Sequence, residues 1–397
     1  MNTEKIRILV LYPWPGLPAM DRGASLRLVP LINFLSRHVA SVEVISPGPQ
    51  HVVSGNITYS GYEPGGLEKL LLRFAFWVFD GVTYRASGGK SPIRERRQLW
   101  HYIQASLQFS LRRKIRKAAA KADIMLLDYP FWSHITPRNK PVVLTLLDVL
   151  SNLVKSPALR DKVLAREVRA CKRSDAIICV SPQDRDDLKA SGVDAQFVPH
   201  GYELPQNEAP GKIPGTLASV VKRREAGHLI CLFVGSSLLP NQEAVTSIQA
   251  IAESFPDDAP ILFVVAGACC GKAQLMTNLT ALGVVSEREL HALYAMADVA
   301  LAPISSGSGS STKVIEAMAR EKVLVTSPMG ARGWDITSGD QAIVCEISEF
   351  PAALRSLMDD PALRRKLAAS GREYAAGFGV EKTYQPYLDA IRDLVKK

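Results

Sequence analysis

One pattern constrains this chain more than any other: short apolar runs alternate with amphipathic segments, and the alternation occurs twice. In the first half the runs are RILVLY, SVEVIS, IMLLDY, VVLTLL, AIICVS and AQFVPH. In the second they are HLICLFVG, ILFVVAG, VALAPI, KVLVTS and AIVCEI. A run that is apolar throughout, rather than at every second position, predicts a strand buried on both faces, as in a parallel sheet covered by helices. Residues 26–37, 243–252, 287–296, 312–320 and 383–395 carry the helical spacing expected between or after such strands. The segment ELPQNEAPGKIPG at residues 203–215 separates the two series and has a linker's composition. At 397 residues the chain exceeds one ordinary hydrophobic core. The prediction is an α/β protein of two Rossmann-like domains. Residues 1–204 form the first and residues 205–381 the second, and a terminal helix follows over 382–397. Residues 67–121 are long, aromatic and basic without a strand signal, which predicts added helices beside the first sheet.

With 47% apolar and 22% charged residues the chain has a soluble protein's balance, and its core needs no disulfide staple. None of the six cysteines forms a CxxC pair, and no His/Cys cluster has zinc spacing. They read as small buried hydrophobes in a reducing compartment. The opening apolar run ends at Pro13, and the stretch over 70–79 is interrupted by Arg73. Neither fits a signal peptide or a bilayer span, so a cytoplasmic protein is expected. The net charge of +9 arises in residues 1–200, the remainder being slightly acidic. That half either attracts a polyanion or anionic membrane, or simply presents a solvated basic face. No nucleic-acid motif accompanies the charge.

Three strand-to-helix turns carry candidate chemistry. After RILVLY, Gly23 allows close backbone approach at a helix start, and Arg27 lies one turn further on, within reach of a phosphate. The alternative is an ordinary loop with a surface arginine. After HLICLFVG, Gly235 and Ser236 lead to a second helix start without the full GxGxxG pattern, which argues against a dinucleotide oxidoreductase. The third turn is the most informative. VALAPI runs into Ser305-Ser306-Gly307-Ser308-Gly309-Ser310-Ser311, then into a helix beginning Thr312-Lys313 and carrying Glu316. Small residues expose backbone N–H groups suited to a diphosphate. Lys313 sits where the helix dipole opposes a cation, so it needs an anion nearby or a solvent-facing rotamer. Glu316 shares a face with Lys313 and can accept from ribose hydroxyls. The alternative is a flexible Ser/Gly loop followed by an exposed, ion-paired helix.

The stretches ELHALYAMADVALAPI, GSGSSTKVIEAMA and VLVTSPMGARG resemble the glycosyltransferases group 1 family, as do the Gly23 loop, CVSPQD, VPHG and FVGSSLLPNQEA in the same order. The resemblance implies a GT-B fold: two Rossmann-like domains facing across a cleft, with a C-terminal helix crossing back to the first. It implies transfer of a sugar from a nucleoside-diphosphate sugar with retention. No DxD-like acidic pair stands beside the glycine loops, so metal-independent transfer is expected, and no cofactor is expected. It places Glu316 at the donor ribose, and Gly307, Ser308, Gly309, Ser310, Ser311, Thr312 and Lys313 at the diphosphate and sugar. Val284 and Val285 match the segment meeting the nucleobase, Gly235 the second-domain phosphate turn, and Gly23 and Arg27 the first-domain loop facing the same diphosphate.

Three positions depart from the family pattern. Ser308 stands where many members carry a glutamate, and Ser236–Asn241 lacks the family's Arg and Lys. The diphosphate charge then falls to Lys313 and Arg27. Leu147 replaces a frequent histidine, which leaves the first-domain sugar contact to Asp148 or to backbone. Asp148 and Lys313 are thus the catalytic candidates. The acceptor is expected to be a glycan or lipid-linked molecule of cell-surface polysaccharide or glycolipid assembly. The aromatic and basic residues of 70–121 either rest on an anionic membrane or divide into core aromatics and a solvated helix face. A nucleotide-sugar epimerase of the same fold, and an inactive nucleotide- or sugar-binding relative, are the competing functions.

Overall fold

The computed structural model describes residues 5–18, 23–86, 89, 91–203, 213–272, 276–307 and 309–396. The chain divides into two compact units, Met1–Gly201 with Thr383–Lys397, and Tyr202–Lys382.

The first unit opens with β1 (Arg7–Leu11), α1 (Gly23–Ser36), β2 (Ser41–Pro47), β3 (His51–Ser54) and β4 (Ile57–Tyr62). Three helices follow without a strand between them, α2 (Gly66–Ala86), α3 (Ile93–Leu107) and α4 (Phe109–Ala119). Then come β5 (Ile124–Asp128), β6 (Val142–Leu146), α5 (Pro157–Cys171), β7 (Ala176–Cys179), α6 (Pro182–Ala190) and β8 (Gln196–Phe197). The strand order is β3-β4-β2-β1-β5-β6-β7-β8, parallel except for β3 against β4. The order reverses between β1 and β5. Leu9, Leu11, Met125 and Leu127 face one core layer with Leu111 and Ile115 of α4, while the alternate residues Ile8, Val10 and Leu126 are buried on the other face. Burial on both faces is why these strands read as unbroken apolar runs.

The second unit contains α7 (Ala218–Glu225), β9 (Leu229–Val234), α8 (Leu239–Glu253), β10 (Ile261–Ala266), β11 (Leu279–Ala281), α9 (Glu287–Met296), β12 (Val299–Ala302) and α10 (Thr312–Ala319). It continues with β13 (Val323–Thr326), α11 (Pro328–Ala331), β14 (Ile343–Val344), α12 (Phe350–Asp359), α13 (Pro361–Ala376) and α14 (Val380–Thr383). The strand order is β11-β10-β9-β12-β13-β14, and every pair is parallel. Cys231, Phe233, Phe263 and Val265 pack with α8, α10, α12 and α13, whereas Ile230, Leu232, Leu262 and Val264 pack with α7 and α9. Each such side chain contributes about 1.5–3 kcal/mol on full burial. The reversal between β9 and β12 is the topological switch point, and the crevice beyond the carboxyl ends of those strands is where such sheets bind ligands. The last helix, α15 (Gln385–Lys396), returns to the first unit. There it buries Tyr387, Leu388 and Ile391, and Tyr387 Oη lies 3.2 Å from Thr145 Oγ1 of β6.

Candidate functional site

The second unit's switch point gathers most of the residues singled out from sequence. Gly235 ends β9. A Cβ there would fall 2.9–3.0 Å from Phe233, Asn241 and Cys269, and a Cβ on Gly267, at φ +103°, would strike the Gly235 carbonyl at 2.2 Å. Only glycines let these two backbones meet, which brings the β9 turn close to the loop after β10. Ser236 accepts two hydrogen bonds from Asn241 Nδ2, at its carbonyl (3.2 Å) and its Oγ (3.0 Å). Asn241 is buried in the first turn of α8, and its Oδ1 accepts from Lys313 Nζ at 3.0 Å.

Lys313 lies in the first turn of α10 and reaches over the Phe233 ring, 5.6 Å from its centroid. Burial lowers its pKa to about 8, against the smaller opposing pull of Cys269 and Glu316. It therefore titrates near physiological pH, and its ammonium gains from any anion brought to it. Glu316 is half-buried on the same helix. Its Oε1 lies 3.4 Å from Arg320 Nε, and Tyr294 donates to it. Burial raises the Glu316 pKa, partly offset by the Arg320 charge. Neither side chain is exposed, and the carboxylate's ion partner is Arg320 rather than Lys313. An exposed helix held by a Lys313–Glu316 pair does not describe α10.

The loop into α10 is tied down on both sides. Ser305 and Ser306 donate to Glu243 of α8. The Gly307 carbonyl accepts from Arg332 Nη1 at 3.3 Å, and the Ser311 carbonyl from Trp334 Nε1 at 3.0 Å. Gly333, at φ +89°, packs so closely on Ser310 that a Cβ there would fall 2.3 Å from the serine's own. Gly307 and Gly309 adopt φ +131° and +67°. Ser308 lies outside the described residues.

Within this fixed loop the Ser310 and Ser311 hydroxyls are buried without a hydrogen-bond partner. Ser311 occupies the N-cap position of α10 but does not cap it. Elsewhere in the unit, Ser286, Ser327 and Asp360 cap α9, α11 and α13 through their side chains. The two helices flanking the switch point, α8 and α10, have no side-chain cap. Both helices therefore start without a side-chain acceptor for their first N–H groups, and two stranded hydroxyls and Lys313 lie together at the start of α10, an arrangement suited to an anion rich in acceptor oxygens. Val284, after Gly283 at φ +69°, is 79% exposed, and Val285 is half-buried.

The first unit places its candidates differently. Gly23 begins α1. Arg27 does not reach toward a phosphate. Its side chain is 1% exposed, ion-paired with Asp128 at the end of β5, and donates to Tyr387 Oη at 3.1 Å. A guanidinium neutralised by a buried carboxylate has no charge left to offer a diphosphate, and the expectation for Arg27 is corrected accordingly. Asp148 is half-buried just beyond β6, next to the buried Leu147, and its charge helps raise the pKa of Tyr129. The following turn is held by Glu167 of α5, whose carboxylate accepts from the backbone N–H groups of Leu150 (2.6 Å) and Ser151 (3.1 Å). Burial first, then the Asp148 charge, raise the Glu167 pKa to about 7 against those hydrogen bonds.

Sequence reasoning missed Asn241, Arg332 and Glu167. Arg332 restores a cation to a loop thought to depend on Lys313 and Arg27, and its signal was the Gly-Ala-Arg-Gly stretch at residues 330–333. Among the described residues, no group of three His, Cys, Asp or Glu could hold a metal ion.

Residues 228–360 match the family of glycosyl transferases group 1. No curated protein matches the chain by sequence. Sucrose-phosphate synthase from Thermosynechococcus elongatus superposes with a TM-score of 0.71 at 16% identity, covering 99% of this chain and 100% of that one. HepE of Anabaena in complex with UDP-glucose gives 0.68 at 14%, covering 98% and 100%. The E. coli trehalose-6-phosphate protein bound with UDP-2-fluoro glucose gives 0.66 at 15%, covering 98% and 99%. The chain has the GT-B fold of these structures, and its residues 228–360 match the group 1 glycosyl transferase family.

Proposed function

We propose that the chain transfers a sugar from a nucleoside-diphosphate sugar to a glycan or lipid-linked acceptor, with retention and without a metal, in cell-surface polysaccharide or glycolipid assembly. The observation that carries the donor part is the start of α10: an uncapped helix end, two buried unpartnered hydroxyls and a half-buried ammonium on one switch point. The structures of HepE and of the E. coli protein contain uridine-diphosphate sugars, which makes those the first donors to test.

In this reading Gly307, Gly309, Ser310, Ser311 and Thr312 receive the diphosphate by backbone N–H and hydroxyl groups, with Lys313 and Arg332 supplying charge. Ser308 belongs to the same loop by sequence. Gly235 and Ser236 line the opposite wall of the crevice. Glu316, aimed by Arg320 and Tyr294, accepts from the ribose hydroxyls, and Val284 and Val285 border the nucleobase. Breaking the bond from the anomeric carbon to the phosphate oxygen leaves positive charge on the sugar and negative charge on the diphosphate. Fixed N–H dipoles and an ammonium in a largely dry site stabilise the leaving group without reorganising. Asp148 on the first unit is assigned to the sugar, held in place through the turn that Glu167 pins. We place the enzyme in the cytoplasm, peripheral to the inner face of a membrane.

Steady-state turnover with excess EDTA and with the Lys313→Ala variant tests the scheme. Turnover is expected to survive chelation and to fall at least tenfold in the variant. Loss on chelation, or wild-type turnover in the variant, contradicts it.

A further inference from the structure

Among the described residues, the outer side of α2 has no partner in its own unit. Its inner residues are accounted for: Glu68 and Thr83 are buried, and Phe76 and Phe79 each pack 5.3 Å from Trp100 of α3. Yet Leu67, Leu70, Phe74, Trp77 and Val82 are 60–73% exposed. At 100° per residue they share one arc of about 140° along the helix. Their combined apolar surface, on the order of 600 Å², reaches the upper end of what a monomer leaves to water. The helix carries Glu68, Lys69, Arg73, Asp80 and Arg85, and no described helix of the chain is long and apolar enough to cross a membrane.

Beside this face lies a concentrated positive charge. The first turn of α2 is bound to the first turn of α4, where Glu68 accepts from the Ser110 N–H at 2.8 Å and also from its hydroxyl. So Leu67 and the exposed Phe109 flank the same junction. From there α4 presents Arg112, Arg113, Arg116 and Lys117, which with Phe109 line an open cavity of about 330 Å³ containing no carboxylate.

We propose that α2 and α4 together form a docking surface for an anionic phospholipid bilayer, with α2 lying in the interface plane and the α4 cations taking lipid phosphates. Apolar burial and attraction to a negative surface act together on such a face. A second copy of the chain with its two-fold axis at the α2–α4 junction would set one basic cluster against its equivalent, whereas an anionic surface complements both the charge and the apolar face. The inference gives a location to the membrane part of the function proposed above, but it does not depend on the donor site.

Flotation with phosphatidylcholine vesicles, with and without about one-third phosphatidylglycerol, tests it in the absence of any donor. Binding is expected only to the anionic vesicles and to weaken with added salt. Trp77→Ser with Phe74→Ser, and separately Arg113→Gln with Arg116→Gln and Lys117→Gln, should each reduce it at least tenfold. Quenching of tryptophan emission by brominated acyl chains should be strong in the wild type and largely lost in Trp77→Phe, a change that preserves the fold. Absent binding at low salt, equal binding by the variants, or a dimer that Trp77→Ser dissociates would overturn the proposal. Unchanged nucleotide affinity in these variants would keep its failure separate from any failure of the donor reading.

Discussion

Arg27 shows how far one residue's role depends on what the fold places opposite it. In sequence it is a cation one turn into a helix after a glycine loop, the position of a phosphate ligand. In the structure Asp128 arrives from β5 and claims it. Removing one partner from such a pair strands the other charge, at a cost of roughly 3–5 kcal/mol. Arg27→Met should therefore lower the urea midpoint strongly, while Arg27→Met with Asp128→Leu recovers much of the loss and nucleotide affinity stays as in the wild type. Equilibrium unfolding and a nucleotide titration check both halves. Lys313 is the opposite case. Its place against the helix dipole was legible as a need for an anion, and the structure adds the burial that brings its pKa to about 8. Arg332 stands in a Gly-Ala-Arg-Gly stretch, and beside the close packing of Gly333 on Ser310 it donates to the Gly307 carbonyl.

Among the elements, the buried parallel strands announced themselves, because two covered faces leave only apolar positions. β3 and β4 did not. β3 is exposed throughout, and its link to β4 is the two-residue Gly55-Asn56 turn, with Gly55 at φ +59°. That dipeptide is a hairpin signal that the weak alternation around it obscured. β11, at three residues, is too short to carry a pattern. α5 concealed Glu167, because one acid in an amphipathic helix reads as a surface residue until the β6 turn is laid against it. Its buried carboxyl makes a testable prediction. The folded-state pKa of about 7 exceeds the ordinary value of 4.5, so the native state holds this proton more tightly than the unfolded chain. This group's stabilising contribution is complete below about pH 4.5 and is lost as pH rises toward 7. Glu167→Gln should remove that part of the slope, as measured by urea midpoints at pH 5, 6 and 7. A slope identical in both proteins would show that Glu167 is not the group titrating.

For the whole molecule, the doubled architecture was the most readable property, since two series of buried strands with a linker between them admit few alternatives. The second unit's strand order then locates the crevice by topology alone, and the α10 loop fills it with N–H donors, hydroxyls and an ammonium. Two classes of surface emerge from one chain: a fixed polar crevice for an anionic donor, and an apolar, basic face on α2 and α4. In the proposed function the departures at Ser236–Asn241 and Leu147 are met locally, by Lys313 and Arg332 in the one case and by the Glu167-pinned turn of Asp148 in the other. The most direct measurement is calorimetric titration of wild type and Lys313→Ala with a panel of nucleoside diphosphates at pH 7 and pH 9. The account expects specific binding of one nucleotide at pH 7, a loss of about ten- to a hundredfold in the variant, and a roughly tenfold weakening at pH 9 in the wild type alone as the ammonium deprotonates. Absence of binding by every nucleotide, or equal affinity in the two proteins at both pH values, would contradict it.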